Sequence, residues 1–147
     1  MDITVILPTK NEEECIGEML RAIQDLNLGR PIIVVDDSDN IKTHEVAMQI
    51  SRDMDLTFLG GRGNESSSIK YALEKCKTKY AIILDADMSQ DPKIIPEMIS
   101  WLEKGADLCI GSRYCYGGGR GTSSLLSSLG NKFAKFALGL KVDECTS

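Results

Sequence analysis

The sequence has a single histidine, His44, which leaves no histidine cluster for a metal and no imidazole relay. A surface or helix-packing role is expected of it. The five cysteines, Cys15, Cys76, Cys109, Cys115 and Cys145, include no C-x-x-C pair. An odd count without paired spacing suggests neither a disulfide framework nor a zinc site, so reduced thiols filling core space are expected. No apolar run approaches the ~18 residues that cross a bilayer. The opening Met1-Asp2-Ile3 has no basic leader pattern, and a cytoplasmic location is expected. Repeats and low-complexity tracts are absent. At 147 residues, 42% hydrophobic and 27% charged, the composition is that of one soluble globular domain over residues 1–147.

Basic charge is scarce in the first half. Residues 1–60 carry 5 basic and 12 acidic groups, net −7, whereas residues 61–147 carry 12 and 10, net +2. The overall −5 argues against nucleic-acid binding. Acid is missing altogether from Ser112 to Lys141, which holds Arg113, Arg120, Lys132, Lys135 and Lys141. Such a segment could meet an anion or an anionic surface.

Apolar runs alternate with helical periodicity. Ile3 to Leu7, Pro31 to Val35, Leu56 to Leu59, Tyr80 to Leu84 and Ala106 to Ile110 read as five strands, each apolar along its length. Between them, Ile16, Met19, Leu20, Ile23 and Leu26 keep one helical face, with Asn11 and Glu14 as a capping box and Gly29 as the stop. Further helices are expected from Thr43 to Arg52, around Ile69, Ala72, Leu73 and Cys76, and from Pro92 to Leu102, the last capped by Asp91 and ended at Gly105. Strands alternating with helices imply an α/β fold, a mainly parallel sheet covered on both faces. Ligands bind such sheets at the carboxyl ends of the strands. Residues 112–122, with Gly117-Gly118-Gly119-Arg120-Gly121, form a flexible glycine-rich loop. Residues 123–140 read as an amphipathic helix that packs on the sheet or lies on a membrane surface.

The expected strand ends concentrate acid: Asp36-Asp37 follows the second and Asp85-Ala86-Asp87 the fourth. In extended backbone, residues two apart project to the same side, which would set Asp85 and Asp87 on one face with Cα atoms roughly 6–7 Å apart. Two carboxylates so placed repel unless a cation joins them, and a hard divalent ion, Mg²⁺ or Mn²⁺, suits oxygen ligands that also hold substrate phosphates. Other phosphate-binding folds fit less well. A dinucleotide site wants G-x-G-x-x-G where this chain has Pro8 to Glu14 with three glutamates, and no G-x-x-x-x-G-K-[ST] is present. The D-x-D nucleophile of haloacid-dehalogenase phosphatases ends a first strand, not a fourth.

Leu7-Pro8-Thr9-Lys10-Asn11-Glu12-Glu13, Ile33-Val34-Val35-Asp36-Asp37-Ser38, Leu84-Asp85-Ala86-Asp87, Ser89-Gln90-Asp91-Pro92 and Gly111-Ser112-Arg113-Tyr114 resemble, in order and spacing, the family 2 glycosyltransferases of the GT-A fold. The likeness is to the branch that serves dolichol phosphate and other polyprenyl phosphates. It implies a nucleotide-diphospho-sugar transferase sandwich in which Pro8, Thr9 and Glu12 line the nucleoside pocket and Asp36 or Asp37 accepts from the base. Asp85 would face the ribose or metal, Asp87 would bind the ion bridging the sugar-nucleotide diphosphate, and Ala86 lies between them. Ser89 stands where the family often has glutamine. Arg113 and Arg120 would clamp phosphate.

The activity so implied is inverting, metal-dependent transfer of mannose or glucose from a GDP- or UDP-hexose to a polyprenyl phosphate, with peripheral contact at the inner membrane face. Such an acceptor is already ionised and needs no general base. Three departures are visible: Gly61-Arg62-Gly63-Asn64-Glu65-Ser66 replaces the family's L-G-x-G turn, Ser123, Ser124 and Ser128 stand where arginines are common, and the D-x-T-S-G-F-R segment is reached only as Asp143 to Ser147. The domain is thus expected to be truncated at its C-terminal end. The alternative expectation is a catalytically incomplete nucleotide-sugar-binding domain that needs a further segment or partner.

Overall fold

Strand β1 runs Ile3–Thr9, and Ile3, Val5, Ile6 and Leu7 are without solvent exposure. A strand apolar on both sides is stable only in the middle of a covered sheet, and β1 lies there. The computed structural model describes residues 2–111. Among them, β1, β2 (Ile32–Asp36), β3 (Leu56–Gly60) and β4 (Tyr80–Ile83) form one four-stranded sheet in the order β3-β2-β1-β4. All three pairings are parallel, with Thr9 opposite Asp36, Asp36 opposite Gly60 and Ile6 opposite Ile83.

The helices are α1 (Ile16–Asp25), α2 (Lys42–Ile50), α3 (Glu65–Lys75) and α4 (Ile95–Glu103). Helix α3 packs on β1 and β2, where Ala72 joins Ile6, Ile33 and Val35 in one apolar cluster. Val5, Leu7, Ile32 and Val34, which alternate with those residues, are equally buried, so the opposite face is covered too. Helix α1 buries Ile16, Met19, Leu20 and Ile23 as its periodicity predicts and packs on α2. The approach is close at Gly17, where a β-carbon would stand 2.8 Å from Ile50 Cδ1. Fully burying a side chain of this size stabilises by about 1.5–3 kcal/mol. The chain divides into two compact units, Met1–Gly105 and Ala106–Ser147, and every element named here belongs to the first.

Several expectations change. Asn11 does not cap α1: its φ is +57°, the helix starts at Ile16, and Cys15 precedes it without a side-chain cap. Asn tolerates left-handed backbone and so turns the chain instead of starting the helix. The helix ends at Asp25, before Gly29, with Asn27 also left-handed at +51°. Asp91 does cap as expected, accepting from the Lys93 amide at 3.0 Å, although the first turn, Pro92–Ile94, is 3₁₀. The fifth strand, Ala106 to Ile110, is not formed. Those residues join no ladder, and Leu108 and Ile110 are exposed; an apolar run becomes a strand only through a partner for its amides. Cys15, Cys76 and Cys109 are outside any disulfide and all three are half-buried, and of them Cys76 packs against the Ile6, Ile33, Val35 and Ala72 cluster as expected. His44 meets Phe58 edge-on at 4.6 Å.

Candidate active site

Because β2 and β3 lie on one side of β1 and β4 on the other, the strand order reverses beside β1. A crevice opens at such a switch point. The loop leaving β1 is tied to the end of β2. Thr9 Oγ1 donates to Asp36 Oδ1 at 2.8 Å, and the Asn11 amide donates to Ser38 Oγ at 2.6 Å. Asn11 Oδ1 accepts from the Asp39 amide at 3.3 Å, and the Glu12 amide donates to Thr43 Oγ1 at 3.1 Å. The left-handed turn at Asn11 therefore has a purpose: it delivers Glu12 against the start of α2.

Adjacent residues in extended chain point to opposite sides, and Asp36 and Asp37 divide their work accordingly. Asp36 Oδ1 collects Thr9 Oγ1, the Ser38 amide at 3.3 Å and Ser38 Oγ at 2.5 Å, so Asp36 joins β1 to β2. Asp37 reaches toward the loop after β3. Its Oδ1 accepts from the Gly63 amide at 2.7 Å and its Oδ2 from Ser68 Oγ at 2.5 Å. Ser68 is fully buried and also accepts from the Arg62 amide at 2.7 Å. Gly61 makes this possible, since a β-carbon there would overlap the Asp37 carboxylate. Asn64 then caps α3, its side chain accepting from the Ser67 amide at 3.0 Å.

Beyond β4 the chain turns instead of continuing extended. The strand stops at Ile83, Ala86 is buried, and Met88 takes a φ of +64°. Asp85 and Asp87 therefore do not share a face by strand alternation. The turn brings them together instead, and both line one cavity. Asp85 is held by Gln90, whose Nε2 donates to Asp85 Oδ2 at 2.7 Å and whose Oε1 accepts from the Asp85 amide at 3.4 Å. Asp87 Oδ1 accepts from the Ser89 amide at 2.8 Å.

The cavity measures about 450 Å³, within the range of small-ligand sites, and Pro8, Thr9, Lys10, Glu12, Asp37, Gly63, Asn64, Glu65, Asp85, Ala86 and Asp87 line it. Its electrostatics are set by crowded carboxylates. Burial and the neighbouring Asp87 and Glu65 raise the pKa of Asp85 above the usual aspartate value. Glu12 is raised by burial, then by Asp87, Glu13 and Asp85. Asp87 moves the other way, lowered chiefly by its hydrogen bonds from Ser89. Two acids held reluctant to ionise beside one that ionises readily form a site that a cation would relieve. Among the described residues no three His, Cys, Asp or Glu side chains converge as a closed metal cage. Asp85 and Asp87 offer oxygen donors, the kind a hard cation takes while completing its shell from substrate phosphate and water.

Of the residues predicted from sequence, Pro8, Thr9, Glu12, Asp37, Asp85, Ala86 and Asp87 lie on the cavity, while Asp36 supports it from behind. Arg113, Arg120, the 112–122 loop and the 123–140 helix fall outside the described residues. Sequence reasoning missed Gln90, Ser68, Thr43 and Lys10. The expected glutamine role was sought at position 89, one residue from where the side chain that holds Asp85 stands. Lys10 carried a legible signal, a basic residue directly after a strand end.

The fold is shared with solved structures. Mycobacterium tuberculosis glucosyl-3-phosphoglycerate synthase superposes with a TM-score of 0.59 at 20% identity, over 70% of this chain and 40% of that one. S. aureus TarS (residues 1–349) gives 0.59 at 22%, over 71% and 33%. A parallel sheet of this order, with its acidic cavity at the switch point, places the chain among the GT-A nucleotide-diphospho-sugar folds. The chain belongs to glycosyl transferase family 2, whose sequence profile matches residues 4–146. It is 32% identical over 124 residues to the dolichol-phosphate mannosyltransferase of Pyrococcus furiosus, covering 80% of this chain and 35% of that protein. To the undecaprenyl-phosphate 4-deoxy-4-formamido-L-arabinose transferase of Pseudomonas fluorescens it is 28% identical over 114 residues, covering 72% and 34%. The chain thus spans about a third of the length of these two relatives.

Proposed function

We propose that this chain binds a nucleotide-diphosphate sugar, a GDP- or UDP-hexose, and serves its metal-dependent, inverting transfer to a polyprenyl phosphate. The observation that carries the reading is the convergence of Asp37, Glu12, Asp85 and Asp87, from three strand ends, on one cavity at the switch point. The relatives' names support the acceptor class, dolichol phosphate in one and undecaprenyl phosphate in the other. A solved glucosyl-3-phosphoglycerate synthase of the same fold holds Mn²⁺ and uridine diphosphate, which supports the metal and the donor class.

Asp85 and Asp87 would hold Mg²⁺ or Mn²⁺. Bound there, the ion supplies Lewis-acid neutralisation of the departing diphosphate. Pro8, Thr9 and Glu12 form the wall against which the nucleoside lies, and Asp37, pinned by Gly63 and Ser68, retains acceptor capacity for a base N–H. Gln90 fixes the orientation of Asp85. The acceptor phosphate attacks as an anion, so none of these carboxylates has to remove a proton. A lipid-borne acceptor requires work at a membrane face, and the acid-free basic segment from Ser112 to Lys141 suits an anionic surface. Among the described residues no helix is long and apolar enough to cross a membrane.

A second reading, a donor-binding portion that turns over only with a further segment, is favoured by the short span against the relatives. Radiolabelled-sugar transfer by residues 1–147 with Mn²⁺ and a short polyprenyl phosphate separates the two. Transfer supports the enzyme reading, whereas nucleotide binding without transfer supports the second. For both, Asp87→Ala should abolish metal-dependent binding of nucleoside diphosphate. Undiminished metal-dependent binding in that variant would overturn the ligand assignment.

A further inference from the structure

Five carboxylates, Glu12, Asp37, Glu65, Asp85 and Asp87, line the cavity, and Lys10 is the one cation among the described residues that line it. Arg62, next in sequence to the lining residue Gly63, is turned elsewhere, with its guanidinium 3.7 Å over the Tyr71 ring. Lys10 is exposed and, among the described residues, forms no ion pair or hydrogen bond through its side chain. That is unexpected for an ammonium with so many acids around the same hollow, and it means that the group stands apart from all of them. Its backbone, by contrast, is fixed on both sides. Thr9 is locked to Asp36, and the Asn11 amide is bonded to Ser38.

A dianionic or trianionic ligand entering this cavity meets repulsion from every charged wall except Lys10. A cation on the two aspartates would cancel part of that charge but leaves the carboxylates of Glu12, Asp37 and Glu65 uncompensated. We propose that Lys10 is a phosphate ligand of this cavity, its ammonium pairing with a phosphoryl oxygen from a firmly placed strand end. A flexible stem bearing a compact charge suits phosphate contact from a short distance away. The inference rests on the donor-binding reading above, and the phosphate can belong to the nucleoside diphosphate or to the lipid acceptor.

The test uses calorimetric titration of the full chain and of Lys10→Met and Lys10→Arg in Mn²⁺. The ligands are GDP, UDP, the nucleosides guanosine and uridine, and farnesyl phosphate. Lys10→Met should weaken a phosphorylated ligand about tenfold, as loss of one charge-assisted contact predicts, and leave nucleoside affinity unchanged. Lys10→Arg should restore most of the loss. A loss confined to GDP or UDP assigns the contact to the donor, and one confined to farnesyl phosphate assigns it to the acceptor. If the wild type binds phosphorylated ligands and Lys10→Met binds all of them equally well, the inference is overturned while the donor reading stands. If the wild type binds none of them, both fall.

Discussion

Replacing Gly61 by alanine tests how the site is built, because the adjacent Gly60 supplies an internal control. A β-carbon at Gly61 would collide with the carboxylate of Asp37, whereas one at Gly60 meets nothing within 4 Å. Neither residue needs a left-handed backbone, so the contrast reports contact alone. In Gly61→Ala the Asp37 side chain has to leave the position in which it accepts from the Gly63 amide and from Ser68 Oγ. Hydrogen bonds to a charged group contribute about 1.5–3 kcal/mol each. Asp37 is half-buried, so water replaces part of what is lost, and a net cost of about 3 kcal/mol is expected. At roughly 2–4 °C per kcal/mol for a chain of this size, Tm should fall by about 6–12 °C. Gly60→Ala should stay within about 0.5 kcal/mol of wild type. Differential scanning calorimetry of the two variants reads this directly, and GDP and UDP titrations should show weakened nucleotide binding in Gly61→Ala only. Equal melting temperatures for the two variants would refute the claim that Gly61 exists to admit Asp37.

Asp85→Asn keeps an acceptor for Gln90 Nε2 and removes one charge from the carboxylate cluster. Because the pKa of Asp85 is raised in the folded state, folding is favoured when that carboxyl is protonated, and the stability it contributes is lost as pH rises from the usual aspartate value, near 3.8, through the raised one. The metal-free variant should therefore melt higher than wild type at pH 7, with no advantage at pH 3, while its Mn²⁺-dependent nucleotide binding is lost; a lower Tm at pH 7 would contradict the repulsion argument. Because the proposed ligand Asp85 has a raised pKa, wild-type Mn²⁺ affinity should fall as pH drops toward the carboxyl range, which metal titrations at pH 7 and pH 5 would reveal. Thr43→Val deletes the buried hydroxyl that receives the Glu12 amide. It should cost about 1–3 kcal/mol and weaken nucleotide binding, and a variant with unchanged melting and binding would show that α2 does not position Glu12.

Periodicity located eight of the secondary elements because it is a local property: Ile16, Met19, Leu20 and Ile23 fall on one side of a helix whatever surrounds them. The strand ends were legible for the same reason, since an apolar run interrupted by two aspartates marks where burial stops. The sequence left open which of Asp36 and Asp37 would accept from a base. Which of them faces a ligand depended on register, because only the pairing of Thr9 with Asp36 and the approach of Gly61 and Ser68 show that Asp36 joins strands while Asp37 lines the cavity. The fifth strand failed where local pattern is weakest, in an apolar run with no ladder partner among the described residues. Asn11 failed as a cap because its conformation is set by Ser38 and Asp39, 27 and 28 residues away in the chain. By itself the sequence determined that carboxylates would stand at strand ends. Only the order β3-β2-β1-β4 decided that the ends of β2 and β4 would flank β1, bringing charges some fifty residues apart into one cavity. Their mutual repulsion is a property of that packing and of no single segment.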